Sequence, residues 1–431
     1  MTAEIAIMNR NAVVLAADSA TTVSSWKDGK LELRYFKGAN KLFELSCHAP
    51  VGLMIYGSAA LQGVPWELAV KAFRQALGTT QHDHLEGYAA DFFNFIAGNE
   101  QLFTEKQKFD SLIDALAPAA WRLQRRIAHI LGADDPNDIA AVPANQVADA
   151  IAEAREHIGQ IQLHEMIEEA DVQSAIAKCK DLFTGQVLTS LPLFASNSDR
   201  AHLAGDFTEL FIELGVREYV NFAGLTGIVI AGYGQSDYFP TLEVYECYGF
   251  LDKKLVILRD PDRSKHMSSS AQAVIEPFAT TGTIDTFRFG VGPDAFNAIL
   301  EATRNSLTQL AQTVLEESAP QSPISAERIQ ALVDQITNQH LGGWWTPVRE
   351  QHFSPLSNVI HSLPLPEMAA LAKSLIELES LKERVTKPSE SVAGPIDVAV
   401  ISKYDGFVWI DRKHYFRPEL NPRFLRRFES L

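Results

Sequence analysis

The sequence predicts an α+β fold in which mostly antiparallel strands are interrupted by a large helical insertion. Three observations carry the prediction. Short β-branched runs broken by turn residues occupy 2–57, return at 225–278 and return again at 396–410, the pattern of hairpins and meanders. The interval 79–204 instead repeats its apolar residues at helical spacing. Further helical patterns at 293–317 and 366–384 separate the later strands.

The first element is a hairpin. Ala3 to Met8 and Ala12 to Ala17 are apolar runs flanking the turn formers Asn9-Arg10-Asn11. A turn centred on Arg10 places Thr2 opposite Asp18, on one face of the ribbon. If Met1 is removed, the chain begins with a Thr whose α-amine has an unperturbed pKa of roughly 7.7–8.0, close enough to neutrality to serve as a base for its own hydroxyl. The plain alternative is an edge strand with a solvent-facing Thr.

A second hairpin follows, with its turn at Ser46 to Pro50. Pro65-Trp66-Glu67 opens a helix, proline being tolerated in a first turn. Within 79–204, Leu85 to Ile96, Phe109 to Ile127, Ala144 to His157 and Ile161 to Phe183 mark four helices, the second with a bend expected at Pro118. The interval reads as a lid, a partner-binding arm, an oligomer contact or a subdomain packed on itself. A helix over Asp206 to Asn221 leads into the buried-type strand Leu225 to Gly232, and strands follow at Thr241 to Cys247, Lys254 to Arg259 and Ala273 to Phe278. A long helix begins at Pro293. Residues 324–385 read as two helices separated by a loop at Gly342-Gly343-Trp344-Trp345, and Ile396 to Ile401 and Phe407 to Ile410 form a final hairpin.

The segments Ala16-Ala17-Asp18-Ser19-Ala20-Thr21-Thr22, Lys41-Leu42-Phe43-Glu44-Leu45 and Gly52-Leu53-Met54-Ile55-Tyr56-Gly57-Ser58 together resemble the start of a proteasome β-subunit, one of the N-terminal nucleophile hydrolases. The resemblance implies a four-layer αββα sandwich, two stacked mostly antiparallel sheets with helices outside. It also implies roles. Thr2 is the nucleophile, Asp18 and Lys41 tune its hydroxyl and amine, and the backbone N–H of Gly57 faces the oxyanion. Thr22 pairs with substrate backbone, and Ile55 floors the pocket for the side chain preceding the cut, which implies a preference for Leu, Tyr or Phe there. Near the C-terminus the family's Asp falls on Glu390. Its Ser falls on Ala393 and a Gly on Pro395, so Ser391 or Ser389 is the candidate replacement hydroxyl. A further serine of the family has no located match here, and Thr280 or Thr281 is the candidate to take its place.

On this alignment residues 1–78 and 205–412 form the core, 79–204 the insertion and 413–431 a tail. The implied reaction is hydrolysis of peptide bonds through an ester on Thr2, with a peptide or protein substrate and no cofactor or metal. A small-molecule amidase and a non-catalytic scaffold are the alternatives on the same fold. The family's rings imply a homo-oligomer. Phe424, Phe428 and Leu431, interleaved with arginines, form an apolar stripe that covers either a neighbour or its own domain.

Composition limits the remaining classes. A net charge of −16 opposes a nucleic-acid partner, because phosphates need a basic face. Three cysteines without CxxC spacing point to neither a disulfide framework nor a zinc site. No signal-like N-terminus and no long apolar run is present, so a cytoplasmic protein with no membrane span is expected. Gly290-Val291-Gly292-Pro293-Asp294-Ala295 fits a loose dinucleotide pattern, but no second parallel strand with an acid follows, and a helix start explains the same residues. The histidines lack the i, i+4 spacing of helical metal ligands.

Overall fold

The computed structural model describes residues 2–27, 30–133, 142–195, 198–271, 273–317, 325–386 and 392–423. The chain opens with β1 (Ala3–Met8) and β2 (Ala12–Ala17), every residue of both buried. Alternation explains how both faces are used. Ala3, Ile5, Ile7, Val14 and Ala16 join one apolar cluster, while Ala6, Met8, Val13, Leu15 and Ala17 join another.

The hairpin turns half a residue later than expected. Glu4 pairs with Ala17 and Met8 with Val13, so Asp18 falls opposite Ala3 rather than Thr2. The cause is the Asn9 side chain. Its Oδ1 accepts the N–H groups of Asn11 at 2.9 Å and Ala12 at 3.2 Å, and Asn9 N donates to Ala12 O at 3.1 Å. This Asx-capped turn has Arg10 and Asn11 as its two central residues.

The link to the second hairpin holds an unanticipated two-stranded ribbon, β3 (Thr21–Lys27) with β4 (Lys30–Phe36). Then come β5 (Leu42–Glu44) and β6 (Val51–Gly57), paired antiparallel around the predicted turn. A small ribbon of β7 (Ala60–Leu61) and β8 (Val64–Pro65) leads to α1 (Trp66–Leu77) and α2 (Leu85–Gly98). A helical region follows: α3 (Glu105–Ile130), α4 (Ala144–Gly159), α5 (Glu169–Ser190), α6 (Pro192–Ala195), α7 (Ala204–Arg217) and α8 (Tyr219–Phe222). The strands resume with β9 (Thr226–Gly232), β10 (Thr241–Leu251), β11 (Lys254–Arg259), β12 (Lys265–His266) and β13 (Val274–Ala279). The remainder is α9 (Gly282–Phe289), α10 (Pro293–Glu317), α11 (Ala326–Val348), α12 (Ser354–His361), α13 (Leu365–Thr386), β14 (Asp397–Ser402) and β15 (Gly406–Asp411).

Two large sheets result, and their strands pair antiparallel. One runs β13-β1-β2-β14-β15, the other β11-β10-β9-β6-β5 with β12 beside β10. Met54, Val229, Ala231 and Tyr233 of the second sheet's region share a cluster with Met8, Leu15 and Ala399 of the first, so the sheets bury their facing sides together. Each fully buried Val, Ile or Leu there contributes about 1.5–3 kcal/mol. α13 lies on β1, β2 and β14, with Met368, Ala372 and Ile376 inward. Helices α1 and α2 cover the second sheet through Trp66, Phe73, Tyr88 and Phe92.

Three expectations change in detail. Helix α5 begins at Glu169 rather than Ile161, where Glu168 and Asp171 form a reciprocal cap. Gly342-Gly343-Trp344-Trp345 is not a loop but part of α11: Trp344 stacks on Phe296 and Trp345 packs on Phe289, and this contact outweighs the glycines' low propensity, roughly 1 kcal/mol each. Within the region read as the insertion 79–204, α2 packs with the second sheet, while α7, assigned to the core, packs with α3, α4 and α5. Tertiary burial, which local periodicity does not encode, decides both placements.

After β15 the tail is tied back by Lys413, whose N–H donates to Asp397 Oδ1 at 2.8 Å. Phe424, Phe428 and Leu431 lie outside the described residues. Among the described residues no helix is long and apolar enough to cross a membrane.

Candidate active site around Thr2

Thr2 stands one residue before β1 and is only 7 % exposed. Its carbonyl accepts the Thr280 N–H at 2.9 Å, which extends the β1–β13 ladder by one step and sets Thr280 beside it. Its hydroxyl donates to Glu4 Oε2 at 3.1 Å. The strand's period of two makes this contact, since residues i and i+2 share a face.

Glu4 is fully buried. Its other oxygen, Oε1, lies 3.2 Å from Lys41 Nζ. Lys41 immediately precedes β5, and its carbonyl accepts the Ile55 N–H at 2.9 Å, which ties it to β6. The Lys41 ammonium also makes a close ion pair with Asp18 Oδ1. Asp18 accepts three backbone N–H groups as well: Ala3 at 3.2 Å, Ala20 at 3.1 Å and Ala393 at 2.9 Å. Four donors therefore converge on one carboxylate, and the chain order becomes Thr2 hydroxyl, Glu4, Lys41, Asp18. All four residues are at most 7 % exposed.

Burial pushes the Glu4 carboxyl up from its ordinary 4.5 to about 7, against the pull of Lys41; the Asp18 charge adds to the rise and the Thr2 hydrogen bond opposes it. A carboxyl whose folded value exceeds its unfolded one favours folding fully below the unfolded value, and that contribution is lost as pH rises through the folded value. Glu4 thus lowers stability progressively from about pH 4.5 to above 7. Thermal melts of Glu4→Gln are expected to show a flatter decline between pH 5 and 8 than the wild type; parallel curves would exclude a Glu4 that titrates in this window.

The other expected residues are placed as follows. Gly57 ends β6 opposite Thr226 with φ +82°, and a Cβ there would lie 2.7 Å from Leu225 O, so both conformation and space require glycine. A cavity of about 400 Å³ adjoins it, lined by Ser58, Gln62, Ser111, Asp114, Tyr219 and Tyr248 among others. Ile55 is not in that lining. It is 2 % exposed, in the cluster beneath α1 and α2. Thr22 is partly buried on β3 opposite Tyr35, its hydroxyl shielded and without a hydrogen-bond partner among the described residues. Glu390, Ser391 and Ser389 lie outside the described residues, but the segment after them is fixed at the site: Ala393 O accepts the Ser19 N–H at 3.2 Å, and Ser19 Oγ donates to Pro395 O. Thr281 precedes α9, where its carbonyl accepts Asp285 N at 2.7 Å.

The structure therefore brings Thr2, Asp18 and Lys41 into one connected cluster. It adds Glu4, which the sequence reading passed over, although a single acid in a strand buried on both faces is a legible signal. Elsewhere, Glu86, Glu243 and His266 approach one another, but Arg259 already holds Glu243 at 2.5 and 3.0 Å. No protein-family model matches the chain, and no curated protein matches it in sequence.

Proposed function

We propose that the chain is an N-terminal nucleophile hydrolase of proteasome β-subunit type, which cleaves peptide bonds through an ester on Thr2. The observation that carries this reading is the buried chain of contacts from the Thr2 hydroxyl through Glu4 and Lys41 to Asp18. A buried ionic network is weak evidence of stability, because desolvation offsets most of its attraction. Such networks around a hydroxyl are characteristic of sites that move protons.

The proposed fold is the four-layer αββα sandwich. Its support is the shared apolar layer between the sheets, α13 on one outer face and α1 with α2 on the other. In this reading Thr2 Oγ1 attacks the scissile carbonyl, and the Lys41 ammonium stabilises negative charge as it develops on the hydroxyl. The N–H of Gly57 is proposed as the oxyanion donor, with the adjoining cavity taking part of the substrate. Removal of Met1 frees the α-amine of Thr2.

A library of fluorogenic peptides run beside small acyl amides tests the assignment. Turnover of peptides at least about tenfold faster than of the small amides is expected, a margin of roughly 1.4 kcal/mol in transition-state binding. Faster turnover of the small amides would move the assignment to an amidase on the same fold. No turnover of either leaves the scaffold reading in place.

A further inference from the structure

We propose that Glu4 is the group that takes the proton from the Thr2 hydroxyl, a role for which the α-amine of an N-terminal Thr is the usual candidate. The inference rests on the hydrolase reading above. Its ground is geometric: Thr2 Oγ1 donates to Glu4 Oε2 at 3.1 Å, already within reach for direct transfer. The opposite oxygen faces Lys41 Nζ at 3.2 Å, so the carboxylate is oriented from both sides. Burial at 0 % exposure leaves no bulk water to compete for the proton.

The groups facing Glu4 decide its protonation. Lys41 favours the carboxylate, and Asp18 disfavours it. Tyr56 of β6 lies near enough to feel the Glu4 charge, but burial pushes its phenol up to about 12, so it is neutral at working pH. Arg263 is engaged by Glu276 at 3.0 Å and stacks over Phe278. The balance places the titration of Glu4 near neutrality, where an acceptor both exists as carboxylate and releases its proton readily.

The acylation step balances as follows. The Oγ1–H bond breaks and its proton passes to Glu4 Oε2 as the Oγ1–carbon bond forms, and the carbonyl electron pair moves to oxygen. The intermediate collapses with cleavage of the carbon–nitrogen bond, and the Glu4 proton goes to the leaving amine. Water then attacks the ester, again losing its proton to Glu4, and Glu4 passes that proton to Thr2 Oγ1 as the ester carbon–oxygen bond breaks.

The test is the rate at which a peptidyl β-lactone acylates the full-length protein, followed by intact mass from pH 5 to 9 in wild type, Glu4→Gln and Glu4→Asp. The wild-type rate is expected to rise through an apparent value of about 7. Glu4→Gln, close in shape and unable to accept the proton as a base, is expected to react about 10²–10⁴-fold more slowly at pH 8 and to lose that rise. Glu4→Asp retains the acid one methylene further away, and is expected to keep a pH-dependent rise at a lower rate. Should Glu4→Gln fail to fold, the aspartate profile decides: a curve superimposable on wild type in rate and pH dependence overturns the assignment. Glu4→Gln reacting at the wild-type rate with the same rise overturns it equally and leaves the hydrolase reading intact. A wild-type protein that is never acylated on Thr2 removes the hydrolase reading itself.

Discussion

Lys41→Met is expected to cost about 3–5 kcal/mol of folding stability and to reduce peptide turnover to background. Methionine preserves most of the side-chain volume, so the loss is electrostatic rather than steric. Two carboxylates, Glu4 at 0 % and Asp18 at 1 % exposure, would share the site without the ammonium that contacts both. Asp18 keeps its three backbone donors, whereas Glu4 keeps only the Thr2 hydroxyl. Protonating Glu4 relieves the conflict, so the destabilisation should be smaller at pH 5 than at pH 8. Urea unfolding at the two pH values measures this. A loss under about 1 kcal/mol, the range of exposed ion pairs, would mean that water reaches the cluster.

Thr2→Ala should show the opposite combination, a large kinetic effect with a small structural one. The substitution removes the nucleophile, and loss of a nucleophile in hydrolases that work through an acyl-enzyme costs on the order of 10⁴–10⁶ in rate. Folding loses the hydrogen bond to a buried carboxylate oxygen, Glu4 Oε2, at a cost of about 1–3 kcal/mol, and the ladder to Thr280 is untouched because it uses the Thr2 carbonyl. Thr2→Ser keeps the hydroxyl and should retain measurable turnover. Side-by-side steady-state kinetics and melts settle the comparison. Thr2→Ala protein that turns over at the wild-type rate would place the chemistry elsewhere.

Strands were legible where their apolar runs are short, β-branched and bounded by turn residues, as β1, β2, β9, β14 and β15 show. The register of the first hairpin was not, since it depends on the Asn9 side chain bonding two backbone N–H groups rather than on the apolar pattern. The same limit explains α11: local propensity reads Gly342-Gly343 as a break, and only the partners of Trp344 and Trp345 make it helix. At the site, the resemblance pointed to Thr2, Asp18 and Lys41, which lie in one cluster. Glu4 has no counterpart in that resemblance, and its contact with Thr2 follows from strand periodicity alone. Nor does the sequence say which surface an amphipathic helix covers: α2 packs on the second sheet and α7 on α3, α4 and α5.

The most direct measurement of the central claim is intact mass combined with peptide mapping on the purified protein, before and after treatment with a peptidyl β-lactone. The expected result is a chain whose first residue is Thr2 and a gain of one acyl equivalent, mapped to the peptide containing Thr2 and absent from Thr2→Ala. A chain that still carries Met1, or an adduct that forms undiminished in Thr2→Ala, would contradict it.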